Sequence, residues 1–342
     1  MSTKGFEEGV LLSDERKEER RFRKEPPRLI QLDQRNYSGP NEAAWSVDIP
    51  QDEMTLLVAP GGTGKSWMFL YWANKLSKDP SKRVMLWLGE DDATITYSRL
   101  CLLDANYKEL EYPPDNLEFI WETGKPLYQA ERFTMDQVDA KGEKKRITAS
   151  DVNPTEEMTY LEKRIAAFKP DILFLDPLSV LGPIGFETDN EVCAKFVIKM
   201  RKQFKGLTVI ASHHANKAGG NDAASSRGSS ALIDGFRHAF TLSVFERLEV
   251  GEDALYLKTV KANYVEKVNT FYIRKIRHGK TTIEIMTPAE RDAMFDQMDE
   301  KEVQERLGED AGPRKKKNKG TASASAKVST TSSAPSNPYV KK

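Results

Sequence analysis

Ala59-Pro60-Gly61-Gly62-Thr63-Gly64-Lys65-Ser66 follows an apolar run, Met54 to Ala59, and opens a helical pattern near Lys65–Ser77. The residue types suit one task. Gly61, Gly62 and Gly64 allow the tight turn, and with Thr63 they present successive backbone N–H groups to phosphate oxygens. The helix that begins here adds its positive end. Lys65 supplies a point charge for the β- and γ-phosphates, and Ser66 a hydroxyl for Mg²⁺. Ala59 stands where the pattern usually begins with Gly, a position that shapes the turn and holds no ligand. Strand, glycine-rich turn and helix in this order predict a nucleotide-phosphate site on the edge of an open α/β sheet.

Short apolar runs and helical patterns alternate on the C-terminal side. Arg83 to Leu88 reads as a strand, followed by a helix near Thr94–Leu110 and a short run, Leu117 to Trp121. A polar interval, 122–152, has no assigned structure and reads as either a surface insertion or a partner-docking loop. Asn153-Pro154 with Glu156 reads as a helix start, leading to Asp171–Asp176. A helix at about Asn190–Phe204 leads to Leu207–Ser212. Four strands without intervening helices follow, around His238–Phe245, Leu255–Val260, Thr270–Ile276 and Thr281–Met286. The expected fold is a mainly parallel central sheet covered on both faces, with antiparallel strands added at the C-terminal side. The organisation expected is a charged arm over 1–28, an ATPase domain over 29–287, a C-terminal helix over 288–309 and a disordered basic tail over 310–342.

Hydrolysis needs acids beside the phosphate site. Asp176 ends the strand DILFLD, the Walker B pattern, and is the candidate carboxylate for Mg²⁺. Glu90 is the first of three acids, Glu90-Asp91-Asp92, after the strand RVMLWL and Gly89; it is the candidate base for water, with Asp91 or Asp92 available to cap the next helix. His213-His214 closes the run LTVIAS at the same sheet edge, where a polar side chain can sense the γ-phosphate. Four His and two Cys in the whole chain offer no metal-ligand set at ordinary spacing.

In the order APGGTGKS, LGEDD, DILFLDPLSVLGP, ASHHANK and SSRGSSALIDGFRHA, the sequence over about 45–285 resembles the RecA-like hexameric ATPases, and most of all plasmid replicative helicases of the RepA type. The resemblance implies a RecA-like P-loop core and a hexameric ring with ATP and Mg²⁺ between neighbouring subunits. It implies Lys65 and Ser66 at the phosphates and metal, Glu90 as base, Asp176 as the Walker B acid and His213 as the strand-end sensor. Arg237 would be an arginine finger reaching the neighbour's ATP. In more distant replicative helicases the finger lies in a Lys-x-Arg pattern on a later strand. Here that place reads Lys261-Ala262-Asn263, so Lys261 is a helper at most.

The loops Pro177–Asn190 and Ala215–Ser226 leave the ATP-bearing strands and would face single-stranded DNA in such a ring. Lys217 and Arg227 are the candidate phosphate contacts, with Asn216 and Ser225 as hydrogen-bond donors. Phe186 offers a stacking ring; Trp67 and Trp72 read as packing. The implied activity is ATP-driven translocation on single-stranded DNA, as in a replicative helicase acting with other replication proteins. A recombination or annealing ATPase, and a nucleotide-switched module without nucleic acid, are the alternatives.

Composition bounds these readings. The chain has 342 residues, with 52 Lys plus Arg against 52 Asp plus Glu, so a uniformly polybasic binder is excluded. From residue 310 onward, eight Lys and Arg face the single Asp310, and the rest of the chain carries the compensating acidic excess. Two cysteines make no disulfide framework. No apolar run approaches the ~20 residues of a membrane span and no apolar leader opens the chain, so a cytoplasmic location without a membrane partner is expected.

Overall fold

The computed structural model describes residues 27–35, 45–108, 113–121, 125–138, 144–215, 230–264, 267 and 269–307. In chain order the strands are β1 Leu29–Arg35, β2 Trp45–Pro50, β3 Met54–Ala59, β4 Val84–Leu88, β5 Leu117–Ile120, β6 Tyr128–Val138, β7 Lys144–Pro154, β8 Ile172–Asp176, β9 Thr208–His214, β10 His238–Glu249, β11 Glu252–Ala262, β12 Asn269–Arg277 and β13 Lys280–Ile285. The helices are α1 Lys65–Ser77, α2 Ala93–Leu103, α3 Glu156–Phe168, α4 Leu178–Leu181, α5 Asn190–Gln203, α6 Ser230–Gly235, α7 Pro288–Asp296 and α8 Glu300–Leu307.

Nine strands form one sheet in the order β13-β12-β11-β10-β3-β9-β8-β4-β5. From β10 to β5 every neighbouring pair is parallel, and β10 to β13 are joined antiparallel. The strand that carries the phosphate turn, β3, is thus central, between β9 and β10. The short strands β3, β4 and β8 are buried along their whole length, as expected of a parallel sheet with both faces covered.

Period-two alternation splits the sheet between two cores. Leu57, Leu86, Phe174 and Ile210 face α1, α2 and the β1–β2 hairpin. Met85, Trp87, Leu173, Val209 and Ala211 face α3, α5 and the short helices. A third cluster, with Phe245, Tyr256, Phe271 and Phe295, packs α7 and α8 against the outer end of the antiparallel strands. The region expected as one terminal helix is therefore two, and Thr287 opens α7 with a capping box closed by Glu290.

Several boundaries differ from expectation. The helix expected over Thr94–Leu110 ends at Leu103, because Asp104 is extended; the Asp104 carboxylate then accepts from the Asn106 backbone and a 3-10 turn, Ala105–Lys108, follows. The interval without assigned structure contains a hairpin: β6 and β7 pair over eleven successive rungs, from Tyr128↔Pro154 to Val138↔Lys144. Asn153 and Pro154 are the last residues of that hairpin, not a helix start. The N-cap of α3 is Thr155, whose hydroxyl donates instead to the Pro126 carbonyl. Among the described residues, no helix is long and apolar enough to cross a membrane.

Candidate active site

Parallel strands that run the same way deliver their C-terminal ends to one edge. That edge brings together the turn after β3, Glu90 beyond β4, Asp176 at the end of β8 and His214 at the end of β9. In the turn, Gly62 and Gly64 have φ of +81° and +107°, values open to glycine at little cost. Gly64 is the N-cap of α1, which has no side-chain cap and no acid in its first turn. The free N–H groups and positive end of a helix suit an anion.

Lys65 is buried and folded back in the turn. Its Nζ donates to the carbonyls of Ala59 at 3.3 Å and Pro60 at 3.4 Å, and lies 3.0 Å from His214 Nδ1. Burial draws its ammonium below the ordinary lysine value, against the opposing pull of Asp176 and Glu90. Asp176 is also buried, and its carboxylate accepts from the hydroxyls of Ser212 and Ser66. Burial pushes it above the usual carboxylate range. A cation beside it would reverse that preference.

One buried carboxylate and one hydroxyl suit Mg²⁺, which takes few protein ligands and completes its shell with water and phosphate. Asp176 and Ser66 would hold it. Among the described residues there is no cluster of three or more His, Cys, Asp or Glu that could hold a metal by itself.

Glu90 is half-exposed, and its Oε1 lies 3.3 Å from His214 Nε2. That hydrogen bond holds its carboxyl below the usual value. With Nδ1 facing an ammonium and Nε2 facing a carboxylate, His214 is best satisfied with its proton on Nε2. Asp92 caps α2 by accepting from the Ile95 backbone, and Asp91 pairs with Arg99, so neither competes with Glu90.

His213 is not the histidine that meets the phosphate turn. Its ring is buried on the opposite face, against Phe186 at 5.8 Å and with Nε2 3.7 Å from Glu187. Residues 209, 211 and 213 of β9 face the α5 side, whereas 210, 212 and 214 face α1. The strand-end histidine beside the phosphate turn is therefore His214. The same alternation, followed one residue further along the sequence, marks both Ser212 and His214.

Phe186 is buried against Phe196 and presents no ring for stacking. Trp72 is fully buried, and Trp67 packs against the same core under the Arg99 guanidinium. Arg237 precedes β10 at the opposite edge of the sheet, since His238 pairs with Thr55 at the start of β3. Five residues of strand separate that level from the turn, roughly 17 Å at 3.3 Å per residue. Arg237 cannot reach the phosphate turn of its own chain. Lys261 closes α6 by donating to the carbonyls of Ile233 at 3.2 Å and Asp234 at 2.7 Å. Lys217 and Arg227, with Asn216 and Ser225, lie outside the described residues, as do most of the N-terminal arm and the basic tail.

Residues 24–220 match the family model described as AAA domain, more than half of the chain. The chain belongs to the AAA domain family. The AAA domain match covers the turn, Glu90, Asp176 and His214; together with the sheet order above, it makes this a RecA-like P-loop ATPase. Among solved structures, the AAA domain chain is similar to a KaiC-like protein from the hyperthermophilic archaeon Pyrococcus horikoshii, at 15% identity, with 69% of this chain and 90% of that chain covered and a TM-score of 0.44. No curated protein matches the sequence.

Proposed function

We propose that this chain hydrolyses ATP at the subunit interfaces of a hexameric ring, and that turnover drives movement along single-stranded DNA in replication. The supporting observation is the meeting of Lys65, His214, Glu90, Asp176 and Ser66 at one sheet edge. In this reading the turn from Gly61 to Ser66 holds the triphosphate, and Lys65 leaves its carbonyls for the β- and γ-oxygens. Ser66 and Asp176 hold Mg²⁺, which supplies charge neutralisation when bound. Glu90, kept ionised, takes the proton of the attacking water. His214 touches both Lys65 and Glu90, so a γ-phosphate that displaces the lysine is felt at the base and at the loop that follows His214.

Arg237, out of reach of its own site, would serve the site of a neighbour, where a cation stabilises transition-state charge. Lys217 and Arg227 would contact the DNA backbone.

The test is ATP hydrolysis with and without a short single strand, together with unwinding of a forked duplex. Lys65→Ala should abolish hydrolysis, and Glu90→Gln should lower kcat by at least ~100-fold with nucleotide still bound. Hydrolysis that survives Lys65→Ala removes the site assignment. Turnover indifferent to DNA removes the translocase, and DNA-stimulated turnover without unwinding leaves a recombination or annealing ATPase.

A further inference from the structure

The peptide between Thr63 and Gly64 is held from the antiparallel side of the sheet. Arg274, on β12, is buried, and its Nη1 donates to the Thr63 carbonyl at 3.0 Å. Its Nη2 donates to Asp253 Oδ2 at 2.5 Å. Asp253 is the cross-strand partner of Arg274 on β11, so the ion pair is set by sheet register.

A trans peptide carries its C=O and its next N–H on opposite sides. Drawing the Thr63 oxygen toward Arg274 therefore turns the Gly64 N–H away from Arg274. Gly64 is further restricted: a Cβ added there would overlap Arg274 Nη1, and its φ of +107° already disfavours a side chain. The guanidinium also places a permanent positive charge beside the turn.

We propose that Arg274 is a positioning residue for nucleotide phosphate: it fixes the Thr63–Gly64 peptide with the Gly64 N–H aimed at phosphate, and Asp253 holds Arg274 in place. The inference rests on the reading of this turn as the ATP site. It gives the antiparallel extension a direct part in nucleotide binding, although β12 lies three strands from β3.

The experiment measures binding of a fluorescent ATP analogue and steady-state hydrolysis for the wild type, Arg274→Ala, Arg274→Lys and Asp253→Asn, each with a thermal melt. Arg274→Ala should bind about 10- to 100-fold more weakly, the range expected for loss of a charge-assisted hydrogen bond. Its KM should rise more than its kcat falls, at temperatures where the melt shows a folded protein. Arg274→Lys should recover part of the loss, since an ammonium can reach one partner but cannot fork between two. Asp253→Asn should weaken binding less than Arg274→Ala, and the double variant Asp253→Asn/Arg274→Ala should be no worse than Arg274→Ala alone. Wild-type affinity in a folded Arg274→Ala overturns the inference. Should that variant fail to fold, unchanged affinity in both Arg274→Lys and Asp253→Asn overturns it equally. A wild type that binds no ATP overturns the reading of the turn, and this inference with it; wild-type binding with unaffected variants overturns the inference alone.

Discussion

His238 enters β10 with its ring buried, 4.5 Å edge-on from Phe240 and with Nδ1 3.4 Å from the Thr55 hydroxyl. Burial lowers its pKa to about 4 from 6.5. Between these values the unfolded chain binds a proton that the folded chain refuses. Stability from this group is therefore complete above pH 6.5 and is lost as pH falls toward 4, by roughly 3 kcal/mol in all. Urea unfolding at pH 7 and pH 4.5 should show the wild type losing more stability than His238→Gln, whose side chain does not titrate. Equal losses would mean that the imidazole is not kept neutral. Comparison with a variant is needed because other carboxylates titrate in the same window, and Asp176, raised by burial, acts in the opposite sense.

Among the elements, the β1–β2 hairpin shows how one irregularity attaches a strand to the phosphate-binding helix. The pairing shifts between Gln31 and Asp33, so Leu32 and Asp33 are both buried although adjacent. Such a bulge redirects a side chain. Asp33 meets Lys75 and the Tyr71 hydroxyl on α1, and its charge and burial together raise Tyr71 above the ordinary tyrosine value, burial contributing most. Removing the carboxylate leaves the half-buried Tyr71 hydroxyl without this acceptor and Lys75 with the Gln34 carbonyl at 3.4 Å and solvent. Asp33→Ala should cost about 2 kcal/mol, somewhat below a fully buried pair because Lys75 is partly exposed. Denaturant unfolding would register the loss, and amide exchange should place it first in β1 and α1. The β6–β7 hairpin behaves differently. Only its base is anchored, by Tyr128 and Val152 in the core and by Arg132 with Asp189 at 2.8 Å, while Phe133, Met135 and Val138 are exposed. Every residue of β6 from Glu131 to Val138 is exposed, so that strand has no alternating burial to leave a pattern in the sequence.

For the whole molecule, the position of Arg237 makes a prediction that no single subunit can satisfy. Its carbonyl accepts from Asn263, fixing the backbone at the sheet edge away from the phosphate turn. If Arg237 acts across an interface, Arg237→Ala and Lys65→Ala subunits are each inactive alone. Mixed in equal parts, they should regain a measurable share of hydrolysis, because some interfaces then pair an intact turn with an intact arginine. No recovery, in a mixture shown by mass to co-assemble, would exclude action in trans. The mass should also increase with ATP and a short single strand present, as a ring closed at nucleotide-bearing interfaces requires.

Much of this protein was already legible in local sequence. Ala59 to Ser66 needs only a strand before it and a helix after it to form a phosphate cradle, and the short apolar runs ending in Asp176 and before Glu90 announce their sheet edge. These signals are local because backbone geometry and burial period act over a few residues. Three matters required the folded chain. His214 rather than His213 reaches Lys65 because a strand sends neighbouring side chains to opposite faces, and only the placement of α1 says which face holds the nucleotide. Phe186, free to stack when read in a loop, is buried once that loop packs on α5. Arg274 stands 211 residues from Thr63 and has no motif around it; its contact exists because sheet register brings β12 and Asp253 to the back of the turn. Local chemistry determined what the edge can bind, and tertiary packing decided which side chains are close enough to act there.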